Sequence, residues 1–160
     1  MFKIFIVTFL LCTQLFSQEL ILGKNDKFDL PELSLKAVRA KIDTGAKTSS
    51  LHCKSIKPDN QGNVTFIVLD ERNPKFTGQS ITKKIYRIAD VKSSNGSVQK
   101  RYFIHTPIII YGKTYTMEVS LSFRGSMKFP LLIGRELIQQ GFLVDVTKTD
   151  LSFEASQLSQ

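Results

Sequence analysis

Apolar and polar side chains alternate with period two through most of the chain. Val38, Ala40 and Ile42 point one way while Arg39 and Lys41 point the other. Met117, Val119, Leu121 and Phe123 alternate with Glu118, Ser120 and Ser122. This is the pattern of half-buried strands. Residues 102–111 are apolar on both faces in places, as a strand covered on both sides would be. Turn chemistry separates these runs. Residues 59–63, DNQGN, predict a hairpin loop between strands near 51–57 and 64–69. Asn95-Gly96 predicts a tight hairpin turn, whose central positions need positive φ, and Tyr111-Gly112-Lys113 predicts another. One segment reads as helix. Residues 134–141, GRELIQQG, set good helix formers between two glycines, with Gly141 placed as the C-terminal cap. Residues 148–160 are polar and read as a fraying tail. The expected class is all-β, a small barrel or sandwich with a short helix late in the chain.

The amino end breaks the pattern. Lys3 supplies a short positive region, residues 4–11 are apolar except Thr8, and Gln14, Ser17 and Gln18 turn the chain polar. This is the layout of a secretory signal peptide over residues 1–18, cut near Ser17 or Gln18. The apolar run falls short of the about 20 residues that a membrane span needs, so no stable membrane insertion is expected after cleavage. A lipoprotein alternative would use Cys12, but the bulky Leu11 before it argues against this. The expected organisation is a signal peptide at 1–18, one domain at 19–147 and a tail at 148–160. The expected location is the periplasm or the exterior of a bacterium.

Composition sets bounds. The chain has 160 residues, 42% hydrophobic and 22% charged, which excludes a disordered tail or a coiled coil and suits one domain with one core. Only two cysteines occur, and loss of Cys12 leaves Cys53 as the sole thiol, so a disulfide scaffold is excluded. The net charge is +8. It is read either as a solvated basic surface or as a preference for acidic partners. The pairs Lys83-Lys84 and Lys100-Arg101 read as solvated strand faces. No basic motif interleaved with aromatics points to nucleic acid.

The most informative tetrapeptide is Asp43-Thr44-Gly45-Ala46, where a strand ending in Ile42 gives way to a turn of small residues. Rigid β-structure holds an aspartate there at the mouth of a loop. Gly45 lets a backbone N–H reach its carboxylate, and the Thr44 hydroxyl is placed to lock the loop. An aspartic peptidase needs such an oriented carboxylate, paired with a second one. Like charges so close share one proton, so one member takes a proton from water while the other polarises the scissile carbonyl. An isolated D-T-G is read as a turn aspartate. The context reverses that reading: roughly 90 residues on, Pro130-Leu131-Leu132-Ile133-Gly134-Arg135 forms an apolar strand, a glycine and an arginine that opens the helix.

These motifs, in this order, resemble retroviral-type aspartic proteases. More closely, the chain is similar to the bacterial retropepsin-like family catalogued as putative ATP-dependent zinc proteases. The resemblance is carried by LPEL at 30–33, AKIDTGAKTSSLH at 40–52, SSNG at 93–96, Arg101 with Thr106-Pro107, and LLIGR at 131–135. It implies an all-β small closed barrel of the retroviral-type acid protease fold with one short C-terminal helix. It implies Asp43 as the catalytic carboxylate, supported by Thr44, Gly45 and Ala46. Ser93, Ser94, Asn95 and Gly96 would form the tip of a flap over substrate, although a plain hairpin turn is the reading of those residues alone. Gly134 and Arg135 would brace the base of the site. In the viral enzymes an acidic residue four after the aspartate often pairs with this arginine. Here it is Lys47, so Arg135 must find another partner, with the Asp145 region as candidate.

The historical name implies ATP and zinc, but no phosphate loop and no H-E-x-x-H occurs, so no cofactor and no metal is expected. His52, His105 and Cys53 are too scattered for zinc. Both histidines read as surface or satisfied core residues, with His52 the better candidate for a wall of the site, and Cys53 reads as a small packed hydrophobe. The chain has one D-T-G, whereas a pseudo-twofold monomer needs two. An active enzyme of this kind is therefore a homodimer, with Asp43 from each subunit at the twofold axis. The expected function is an exported aspartic endopeptidase acting on an extended peptide or protein. The alternatives are a non-catalytic module that holds a protein or an anionic polymer, and a metallopeptidase.

Overall fold

The computed structural model describes residues 20–92, 96–123 and 128–158; the expected signal peptide and Ser93, Ser94 and Asn95 of the expected flap lie outside them. Eleven strands follow the alternation. They are β1 (Leu20–Gly23), β2 (Asn25–Leu30), β3 (Leu35–Ile42), β4 (Ser49–Pro58), β5 (Asn63–Val68), β6 (Ser80–Lys84), β7 (Arg87–Lys92), β8 (Val98–Ile110), β9 (Lys113–Ser122), β10 (Leu131–Ile133) and β11 (Phe142–Asp145). A single 3-10 turn, Pro31–Leu33, sits between β2 and β3. Helix α1 is Arg135–Ile138 and helix α2 is Leu151–Leu158.

Six strands run in the order β10-β3-β2-β8-β9-β4, and a β4–β10 pairing closes them into a barrel. The expected all-β small barrel is therefore the observed fold. β5 and β6 extend the sheet beyond β4, and β7 pairs with β8 as a projecting hairpin. β1 and β11 form a separate two-stranded parallel sheet.

The alternation decides what fills the barrel. Val38, Ala40 and Ile42 of β3 are buried with Leu51, Ile104, Ile108, Met117, Val119, Leu121, Leu131 and Ile133. Burying a Val, Leu, Ile or Met side chain contributes about 1.5–3 kcal/mol, so these residues dominate the stability of the fold. The outward side chains of β3, Arg39 and Lys41, are exposed. The two faces of β8 are both covered in part, as expected. Phe103 on the outer face is 1% exposed, and the Arg87 guanidinium stands 3.6 Å from its ring centre.

The turn at Tyr111-Gly112 matches its chemistry. Tyr111 and Gly112 both have positive φ, 51° and 71°, between the paired Ile110 and Lys113. That is the twist a two-residue hairpin needs. The last register pair of β7 and β8 is Lys92–Val98, and the expected Asn95-Gly96 turn between them lies partly outside the described residues.

The carboxyl tail departs from expectation. Residues 151–158 form α2 and pack on β2 and β1 instead of fraying. The cap is not local. Asp26 of β2, 1% exposed, accepts hydrogen bonds from the backbone N–H of Ser152 (2.8 Å) and Phe153 (3.2 Å), two of the orphan donors of the helix start. Ser152 in turn accepts from the Tyr111 N–H at 2.8 Å, and Lys27 lies 4.3 Å over the Phe153 ring.

Candidate active site

β3 ends at Ile42, but its ladder continues one step: the Asp43 N–H donates to the Ile133 carbonyl at 2.8 Å. The chain then turns sharply, and the Ala46 N–H returns to the Asp43 carbonyl at 3.1 Å. The Asp43 carboxylate is half-buried and accepts from the Gly45 N–H at 3.2 Å. A Cβ at position 45 would stand 3.4 Å from that carboxylate oxygen, an ordinary van der Waals contact.

Helix α1 grips this loop. Arg135 donates from one guanidinium nitrogen to the carbonyls of Thr44 and Gly45, both at 2.9 Å. Its N–H donates to the Ala46 carbonyl, the Glu136 N–H donates to the Lys47 carbonyl, and the Gly134 N–H donates to Ser49 Oγ. At Gly134 the two segments touch: a Cβ there would lie 2.4 Å from the Thr48 carbonyl carbon. Only glycine fits that crossing. Two sequence expectations are corrected here. Arg135 does not turn to Asp145, which instead accepts from Thr147; two backbone carbonyls satisfy the guanidinium without an acid. Thr44 meets the brace through its carbonyl, with its side chain exposed, rather than through its hydroxyl. Lys47, which replaces the acidic residue of the viral pattern, pairs with Glu136 at 3.8 Å.

The remaining candidates divide. Gly96 lies in the β7–β8 connection with φ +86°. His105 is exposed and stacks on Tyr86 at 4.0 Å. Cys53 is fully buried, and burial pushes its thiol far up, so it is no nucleophile. Among the described residues no group of three or more His, Cys, Asp or Glu side chains is placed to hold a metal ion.

The outer surface of β4 and β9 carries a buried polar network whose serines sequence reasoning missed, while His52 is the satisfied core residue that was one of its two expected readings. Ser50 and Ser122 share a hydrogen bond of 2.9 Å, and Ser120 donates to the Ser49 carbonyl at 3.1 Å. His52 is 5% exposed, bonds to Asp70 at 2.9 Å and packs on Phe123. The Arg72 guanidinium beside Asp70, and His52 after it, hold that carboxyl well below the usual range against the opposing effect of burial. The only sequence signal was an excess of serine on a strand face, which period-two reasoning reads as solvated.

On the same outer face, further along β3, stand Arg39 and Lys41. Lys41 lies opposite Leu132 in the β3–β10 register. Arg39 and Lys128 approach the Phe129 ring from 5.4 and 5.7 Å.

Comparison with known proteins gives three findings. A family model described as RimB-like, the retropepsin-like aspartic endopeptidase RimB, matches residues 21–154. Proteins named probable alpha-L-glutamate ligase match over most of the chain. The one from Shewanella halifaxensis is 32% identical over 132 residues, which cover 81% of this chain and 29% of that protein. The one from Desulfotalea psychrophila is 32% identical over 128 residues, covering 78% and 28%. The chain thus spans under a third of the length of these curated relatives. Among solved structures, a Legionella pneumophila protein of unknown function superposes with a TM-score of 0.65 at 28% identity, covering 83% of this chain and 98% of that one.

Proposed function

The chain belongs to the RimB-like family of retropepsin-like aspartic endopeptidases, and from that premise we propose that it hydrolyses peptide bonds with water activated between two copies of Asp43, one from each subunit of a homodimer. The observation that carries the reading is the Asp43 loop: a half-buried carboxylate at a strand end, touched by the Gly45 N–H and fixed from below by Arg135. In the dimer the two carboxylates share one proton. The ionised member takes a proton from water, whose oxygen attacks the carbonyl carbon. The protonated member hydrogen-bonds the carbonyl oxygen. Collapse of the tetrahedral adduct breaks the C–N bond, and the amine leaves with a proton from the pair. The β7–β8 hairpin covers the substrate.

The substrate is a peptide rich in α-linked glutamate. The matched segment forms part of proteins named probable alpha-L-glutamate ligase, and bonds of the type a ligase makes are those a peptidase cuts. The net charge of +8 favours such an anionic chain. The test is incubation of the protein with an α-glutamate oligomer, with products read by mass spectrometry. Wild type is expected to shorten the oligomer and Asp43→Asn to leave it intact while unfolding at the same temperature. Binding without cleavage by wild type would replace the enzyme with a binding module. A fully active monomer in sedimentation would remove the shared dyad.

A further inference from the structure

The outward positions of β3 run Arg39, Lys41 and then Asp43, because Val38, Ala40 and Ile42 fill the barrel. At about 3.3 Å per residue, alternate side chains on one strand face stand about 7 Å apart. Lys41 is therefore one such step from the proposed catalytic carboxylate, and Arg39 is two. Across the pairing, Leu132 shares the Lys41 position, and the segment entering β10 brings Phe129 between Arg39 and Lys128.

These three cations have no carboxylate within salt-bridge distance among the described residues. The acid on the neighbouring strand's side, Asp150, is taken by Lys27, the register partner of Arg39. Like charges gathered without an acid repel one another, and that cost is offset when an anion binds. Part-exposed Phe129 is apolar ground for methylene groups, and Arg39 and Lys128 stand near its ring for a terminal carboxylate.

We infer that Lys41, with Arg39 and Lys128 around Phe129, forms the subsite that holds an acidic side chain of the substrate beside the scissile bond. The inference rests on the peptidase reading above and adds the residues that select the substrate. It is specific to position, since other exposed lysines, such as Lys57 at the far end of β4, contribute the same net charge.

Binding is measured by fluorescence anisotropy on the Asp43→Asn protein, so that no turnover is needed. The probes are a labelled oligomer of α-linked glutamate and its glutamine counterpart. Lys41→Gln is expected to weaken the glutamate oligomer about tenfold relative to the glutamine one, the loss of one charge-assisted hydrogen bond. Lys41→Arg restores the preference, and Lys57→Gln does not move it. In the wild-type background the ratio of kcat/KM values for the two oligomers falls by the same factor in Lys41→Gln. Equal weakening of both oligomers, an equal effect of Lys57→Gln, or no binding of either oligomer overturns the subsite. Absence of hydrolysis by wild type with the binding pattern intact removes the peptidase reading and leaves the subsite standing.

Discussion

Asp26 and Asp43 are both aspartates on the same small barrel, and their surroundings are opposite. Asp26 is 1% exposed and accepts from three backbone N–H groups, those of Lys27, Ser152 and Phe153. Asp43 is half-buried and accepts from the N–H of Gly45. A carboxylate whose lone pairs are committed to a helix start is a structural clamp. One that accepts from a single N–H among the described residues, on a loop fixed from behind, has the access that the proposed reaction needs. The rigidity that the proposed catalysis needs is supplied at Asp43 by Arg135 and Gly134, which hold the backbone and leave the side chain accessible. Counting hydrogen bonds to a carboxylate thus separates support from chemistry better than counting carboxylates does.

The sharpest break of this comparison is a swap of readouts. Asp43→Asn is expected to lower kcat by about a thousandfold or more, with unfolding free energy changed by about 0.5 kcal/mol or less. Asp26→Ala is expected to do the reverse. It strands the Ser152 and Phe153 amides, and denaturant unfolding should show a loss of about 2–3 kcal/mol, with faster amide exchange in α2 and cleavage retained. If Asp26→Ala abolished cleavage at full stability, the assignment of roles would be wrong.

Arg135→Ala comes next. It removes the donor to two loop carbonyls, and a misplaced carboxylate costs about a hundredfold in kcat, visible as a fall in kcat with a smaller change in KM.

The pH dependence sharpens the contrast further. Burial pushes the Asp26 carboxyl up, against the pull of its N–H donors. A group raised in the folded state contributes stability that is fully present below its unfolded pKa and lost as pH rises through the folded pKa. Asp26→Asn carries no such titration. The stability of wild type relative to Asp26→Asn should therefore decline as pH rises from about 4 toward neutrality, measured by urea unfolding across that range. Asp70, held low by Arg72, has the opposite sign: its contribution is present above the unfolded pKa and is lost as pH falls toward the lowered folded value.

The smallest effect is expected at Lys47→Ala. This residue stands where the viral pattern has an acid, yet its pairing with Glu136 is exposed, so unfolding should shift by about 0.5 kcal/mol or less. A large loss would mean that the Lys47–Glu136 pair, and not Arg135, secures the loop.

Much of this molecule was legible from local pattern. Period-two alternation located β3, β8 and β9 because a barrel wall has one buried face, and D-T-G-A at a strand end marked the loop because the alternation stops there. The strand, glycine and arginine at 131–135 marked its support, since Gly134 must touch Thr48. Less was legible where partners are distant. The helix at 151–158 looked like a fraying tail because its cap lies on β2, 126 positions earlier. The serines of β4 and β9 looked solvated because the parallel β4–β9 pairing that brings Ser50 to Ser122 joins residues 72 positions apart.

The order of apolar and polar residues by itself determined the strands, the inward set and the aspartate-bearing turn, since these depend on side-chain periodicity and on φ at single residues. Tertiary structure alone decided which partner satisfies Arg135, which acid caps α2 and which cations share a face with Asp43. Those outcomes depend on the register between strands far apart in the chain, and register is set by the burial of the whole core at once.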